Sequence, residues 1–237
     1  MKKIFKRTAV VALVVGLVAG GVNAPAAEAL SLGGIGNLLG AGKGTDINTA
    51  NKRMLENFYY SVALIAAAYQ NVQIATDDSI VNKQLITQDQ AVKSARKDSD
   101  AGLQMKNGAE QNKADAEKMK KYLSEALASG DEAKLAEIDN FIKTANTQRT
   151  LSNVMAGVSY TQAGIILMAQ VKGAASGNLE GIGNAVAIAN ETKQMLEIRK
   201  ELSKLLDTAT AEYRKARGIK DPSKKEQKEA AAQIEKG

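Results

Sequence analysis

The chain has 237 residues, 44% hydrophobic but only 4% aromatic, with no Cys, no His, no Trp and two Pro, and a formal net charge of +6 at pH 7. The length is ample for one or two compact domains with a buried core. The missing residue types exclude Ser-His-Asp and Cys-His catalysis, His-ligated zinc, di-iron Glu-x-x-His motifs, disulfides, iron–sulfur clusters and N-terminal lipidation.

Lys2, Lys3, Lys6 and Arg7 precede an uncharged run of 14 residues from Ala9 to Val22, and small residues follow. This is the pattern of a secretory signal peptide over 1–29, with A-x-A cleavage motifs ending at Ala26 and at Ala29. The run falls short of the about 20 residues that a bilayer span needs, so an uncleaved anchor is the weaker reading. A periplasmic or extracellular protein without a lipid anchor is expected. Beyond residue 29 the chain keeps 28 basic and 25 acidic residues. Arg214 to Gly237 holds eight basic and four acidic ones, which leaves residues 30–213 at −1. A neutral body lacks the basic face that replaces phosphate counterions, so nucleic acid is excluded as a partner.

Six Gly in the fourteen residues Ser31 to Gly44 make 30–44 a Gly-rich leader with high backbone entropy. Its stretch Asn37–Gly44 departs from the phosphate-loop pattern GxxxxGK[ST] at both ends, with Asn37 in place of the first Gly and Gly44 in place of Ser/Thr. Residues 45–217 then read as a helical bundle. Few Pro and aromatics among abundant Ala, Lys, Glu, Gln and Leu favour helix over sheet. The first helix is expected over 47–76, with Leu55, Phe58, Val62, Ile65, Tyr69 and Val72 spaced 3, 4, 3, 4, 3 along one seam. Asp77-Asp78-Ser79 breaks it and caps a second helix that begins with Ile80, Val81, Leu85 and Ile86 and continues through Asp98. A third runs over 110–128 on Met119, Tyr122, Leu123 and Ala126, and Ser129-Gly130 stops it. Asp131 opens a fourth through Leu135, Ile138, Phe141, Ile142 and Ala145. It continues, with or without a break, into Leu151, Val154, Val158, Thr161, Ile165 and Met168. The last long helix is expected over 178–217, with Met195, Ile198, Leu202, Leu205, Leu206, Ala209 and Tyr213 as its apolar stripe. Gly218 and Pro222 set off a Lys/Glu-rich tail over 218–237, helical or disordered, that lacks the apolar periodicity of a core element. The fold class expected is all-α, an elongated antiparallel bundle of five or six helices with coiled-coil-like seams.

Charge is distributed unevenly. Lys93 to Glu137 carries 18 charged residues, nine of each sign, whereas 57–76 and 150–171 carry none. Helices uncharged all round are usually buried, and this reading is preferred for both segments. Their length also admits a membrane-active alternative in which both insert as a hairpin, but Asn57, Gln70, Asn71, Gln73, Asn153, Gln162 and Gln170 interrupt them at a few kcal/mol each in hydrocarbon. Phe58-Tyr59-Tyr60 cannot all face one seam, so Tyr60 is either enclosed or part of a contact surface.

No catalytic pair stands out, and no cofactor or metal is predicted. Asp98-Ser99-Asp100 begins like a calcium loop but lacks the third acidic position. A Ser–Lys pairing is invisible to sequence reading. The leading expectation is a non-enzymatic exported bundle that binds a protein partner, its own copy or an envelope surface. Tyr60, Lys224, Lys225 and Lys228 are its candidate contact residues.

Overall fold

A computed structural model describes residues 47–95, 109–175 and 180–236. The fold is all-α. The described residues form six helices and no strand: α1 (Ile47–Ala75), α2 (Gln88–Ala95), α3 (Ala109–Ser129), α4 (Glu132–Ala175), α5 (Glu180–Ala216) and α6 (Lys224–Lys236). The Gly-rich leader, the cleavage motifs at Ala26 and Ala29 and the calcium-like Asp98–Gly102 lie outside the described residues. The described residues divide into two compact units, one formed by 47–58 with 156–175 and 180–194, the other by 59–95 and 109–155 with 195–236.

Local chemistry sets the helix ends. Gly130 adopts φ +65° after α3, a left-handed conformation that costs Gly little, and Asp131 then caps α4. The Asp131 carboxylate accepts from the amides of Ala133 and Lys134, both at 3.1 Å. Gly218, also at φ +65°, closes α5. The Ile219 amide reaches back to the Arg214 carbonyl (2.9 Å) and the Gly218 amide to that of Lys215 (3.3 Å), a Schellman arrangement.

The second helix starts later than the apolar run suggests. Residues 76–87 are non-helical, and Val81 is 91% exposed. Two hydrogen-bond sets hold this segment out of helix. The Asn71 side chain accepts from the Ile86 amide (2.9 Å) and donates to the Ile86 carbonyl (3.0 Å), while Lys83 Nζ donates to the Ala75 carbonyl at the end of α1 (3.0 Å). Thr87 and Gln90 then form a reciprocal cap, with Gln90 Oε1 accepting from the Thr87 amide (2.9 Å) and Thr87 Oγ1 from the Gln90 amide (3.3 Å).

In the second unit, α1 and α4 run antiparallel: Ser61 meets Ser152, and Asn71 meets Gln148. The two serines bond reciprocally. Ser61 Oγ donates to the Ser152 carbonyl (2.9 Å) and Ser152 Oγ to the Ser61 carbonyl (2.7 Å), so the two backbones approach closely at a fully buried point. Asn71 Nδ2 donates to Gln148 Oε1 (2.9 Å), and Gln148 Nε2 donates to the Ile86 carbonyl (2.8 Å). Asn71 and Gln148 therefore satisfy each other and the loop backbone, whereas Gln162 Oε1 is buried without a hydrogen-bond partner. The α4–α5 pair is antiparallel as well, through Asn153 with Arg199, Arg149 with Asp207 and Asp139 with Tyr213.

All seven stripe residues of α5 are buried, as are Phe58, Val62, Ile65, Tyr69 and Val72 of α1. Leu55 and Val154 are only half-buried. Burial in α1 spreads beyond the seam to Ser61, Leu64, Ala67, Ala68 and Asn71, and in α4 to Ser152 and Met155. Tyr122 is half-buried rather than in the core, with its hydroxyl on Asp78. In the first unit Phe58 meets Tyr160 edge-on, with ring centroids 5.8 Å apart.

The tail is not separate from the core. Ile234 of α6 is 8% exposed and belongs to a buried cluster with Tyr60, Leu64, Ala67, Val92, Leu151 and Met155. Ala230 and Ala231 pack against that cluster. Single apolar residues at helical spacing dock α6, a pattern too sparse to register as periodicity.

Val62→Asp is expected to destabilise the protein by several kcal/mol, because it buries an unpaired carboxylate. Lys113→Ala and Glu117→Ala, on exposed positions, should each change stability by less than about 0.5 kcal/mol. Asn71→Ala should cost about 1–3 kcal/mol, since it strands Gln148 and the Ile86 amide. Urea midpoints check all four, and equal shifts would refute the burial assignments.

Candidate functional site

The densest polar constellation of the second unit lies where α4, α5 and the segment after α5 meet. Arg149 donates through Nη1 to Asp207 (2.7 Å) and through Nη2 to Asp221 (2.8 Å). Arg214 donates through Nη2 to Asp207 (2.8 Å) and through Nη1 to Asn146 Oδ1 (2.8 Å), with Asp221 at 3.5 Å. Asn146 Nδ2 in turn donates to the Lys220 carbonyl (3.0 Å). Two cations thus share two carboxylates, and Asp221 is the member contributed by the segment leading to α6. Both guanidinium groups are largely buried, and their Nε atoms have no hydrogen-bond partner. Burial, and then the neighbouring Arg149 charge, lower the pKa of Arg214.

Beside Arg214, Tyr213 donates to Asp139 (3.0 Å), and Arg217, just past the end of α5, pairs with Asp139 (3.1 Å) and Glu132 (3.3 Å). Those two acceptors raise the Arg217 pKa, Asp139 first. Burial, and then the hydrogen bond to Asp139, raise that of Tyr213. Tyr69 is pushed up to about 12 by burial and by the negative charge of Asp115. At the far end of α1, Asp78 accepts from Tyr122 and pairs with Lys134 (3.6 Å), whose ammonium also sits 4.5 Å from the Tyr122 ring centroid. The Tyr122 hydrogen bond and then the lysines lower the Asp78 pKa.

Beside the arginine cluster an open groove of about 540 Å³ separates Thr147, Thr150 and Leu151 of α4 from Ile219, Pro222 and Ala230. Ser223 and Glu226, which also line it, cap α6 reciprocally: Glu226 Oε2 accepts from the Ser223 amide (2.7 Å), and Ser223 Oγ accepts from the Glu226 amide (3.3 Å).

Among the sequence candidates, Tyr60 is 6% exposed and lies in the cluster under α6. Lys224, Lys225 and Lys228 are all exposed on α6, and Lys225 makes a 3.9 Å pair with Glu229 across one turn. The structure does not bring Tyr60 to the surface beside them. Sequence reading missed Asn146, Arg149, Asp207, Arg214 and Asp221. One signal was present: Asp207, Arg214 and Asp221 recur every seven residues, with charges that alternate in sign.

No protein-family model, curated protein or solved structure matches the chain. Among the described residues, no helix is long and apolar enough to cross a membrane, and no three acidic residues are placed to hold a metal ion.

The tyrosines offer a direct check. A phenol whose pKa is raised on folding contributes stability that is complete below its unfolded value near 10 and is lost as pH rises through the folded value. Absorbance titration of the six tyrosines should therefore show Tyr69 and Tyr213 ionising last, together with alkaline unfolding. In Tyr213→Phe the number of late-ionising phenols should fall by one. Normal ionisation of all six near pH 10 in the folded protein would refute these burial assignments.

Proposed function

We propose that the chain is a non-enzymatic exported helical protein that acts by binding a partner: another protein, its own copy or an envelope surface. The observation that carries this reading is the C-terminal segment, where a neutral body ends in a helix docked by Ala230, Ala231 and Ile234 with Lys224, Lys225 and Lys228 in solvent. Such a helix keeps its apolar side on the core and offers ammonium groups outward. An exposed pair such as Lys225–Glu229 is worth little, so it does not withdraw Lys225 from a stronger anionic partner. The carboxylates of the arginine cluster support the non-enzymatic part of the proposal, because Asp207 and Asp221 are each engaged by guanidinium groups.

The second reading, insertion of 57–76 and 150–171 into a bilayer, is supported by their lack of charge. Against it stand the buried hydrogen bonds of Ser61, Asn71, Gln148 and Ser152, which insertion would have to preserve or forfeit at a few kcal/mol each.

The readings separate on liposomes. A binding protein should release no dye from neutral or anionic vesicles. Its association with anionic vesicles should need Lys224, Lys225 and Lys228 and fade with salt, as charges are screened beyond about 8–10 Å near physiological ionic strength. Salt-resistant leakage, abolished in folded Ala67→Lys or Gly164→Lys variants, would overturn the proposal in favour of insertion.

A further inference from the structure

The segment from Gly218 to Lys236 is fastened to the rest of the second unit near its start, where Asn146 also donates to the Lys220 carbonyl (3.0 Å), and near its end. Near its start Asp221 sits between Arg149 and Arg214, yet its side chain is 58% exposed. Near its end Ile234 is buried, flanked by the partly buried Ala230 and Ala231. Between the two fastenings lies the groove of about 540 Å³ lined by Thr147, Thr150, Leu151, Ile219, Pro222 and Ala230, so the middle of the segment is not close-packed on α4. Few contacts therefore resist detachment, and the Schellman turn at Gly218 and the Pro222 before α6 supply a discrete hinge between the two helices.

Detachment leaves two surfaces that cannot remain open. A free α6 has 13 residues, too few for a stable helix in water. The site it leaves presents Tyr60, Leu64, Ala67, Leu151 and Met155 to solvent as one apolar patch. An identical segment from a second molecule satisfies both, because it carries the same Ala230-Ala231-x-x-Ile234 face and the same Asp221 for the arginine pair. Mutual exchange makes a closed two-fold arrangement in which the Asp221 and Ile234 contacts are remade between molecules.

We propose that the C-terminal segment is an exchangeable strap, and that the apolar site beneath α6 accepts the strap of a second copy of this chain. The inference rests on the reading of the protein as a binding protein and names one partner, its own copy.

The chain contains no Cys, so introduced thiols are unique. Purified Ala67→Cys and Ile234→Cys chains, mixed at high concentration and diluted into a short thiol-to-thiol crosslinker, are expected to give as main product the heterodimer linked from position 67 of one chain to position 234 of the other. Asp221→Asn in both chains should raise its rate of formation about 1.5- to fivefold, in line with loss of an exposed ion pair. A chain shortened by deletion of Ile219 and Lys220 loses roughly 7 Å of reach. It should be dimeric by light scattering, and Ile234→Asp in that background should restore the monomer. A double variant, Ala67→Cys with Ile234→Cys in one chain, reports docking within a molecule. Crosslinking within that chain but never between chains would overturn exchange, and failure of both would overturn docking itself. So would a shortened chain that keeps its helical circular dichroism and stays monomeric, or whose dimer survives Ile234→Asp. Vesicle association and pull-down of other proteins read the broader binding proposal separately, since neither depends on exchange.

Discussion

The uncharged parts of α1 and α4 meet at a buried contact in the second unit, where polar groups have to find their partners away from water. Ser61 and Ser152 are where this constraint is met most economically. Each hydroxyl donates to the other residue's carbonyl, which requires the α1 and α4 backbones to approach closely. Ala67 and Ala68, further along the same helix, are buried as well. From that contact outward, the remaining architecture follows. Asn71 and Gln148 continue the same interface in polar form and hold Ile86 against it, which fixes the path of 76–87 and the start of α2. Tyr60, Leu64, Leu151 and Met155 form a buried cluster on one side of these helices, and Ile234 of α6 joins it.

The charged residues do different work. Arg149 stands immediately before the uncharged stretch of α4, at the edge of the desolvated region. Its pairing with Asp207, and that of Arg214 with Asp207 and Asp221, sets α4, α5 and the C-terminal segment in register. Desolvation offsets much of the Coulomb attraction in such a cluster, so its contribution is greater to register than to net stability. The buried, unpartnered Nε atoms and the lowered pKa of Arg214 are signs of that offset.

How much of this was legible in the sequence depended on how regular the signal was. The α5 stripe from Met195 to Tyr213 recurs over almost three heptads, and every member is buried. Gly130, Asp131 and Gly218 carried their turn and cap chemistry openly. The start of α2 did not follow its apolar run, because Ile80, Val81, Leu85 and Ile86 suit a helix by composition while Asn71, distant in sequence, claims the backbone of Ile86. Thr87-x-x-Gln90 and Ser223-x-x-Glu226 were readable capping boxes that the apolar pattern overshadowed. Docking of α6 depends on one isoleucine and two alanines, which becomes meaningful only once the groove exists. The arginine cluster is harder still to read, since its five members come from three segments and meet only in three dimensions. Tyr60 illustrates the same limit from the other side: periodicity placed it off the seam, and residues of α2, α4 and α6 form the cluster that encloses it.

Hydrogen exchange followed by mass spectrometry, in the native protein with graded denaturant, tests most directly whether the uncharged helices form the centre of the second unit. Amides of 60–72 and 145–155 are expected to be the slowest in the described chain and to exchange only through global unfolding, with the denaturant dependence of the equilibrium transition. Exchange of these segments as fast as residues 80–87, or with no dependence on denaturant, would contradict a buried α1–α4 contact as the foundation of the fold.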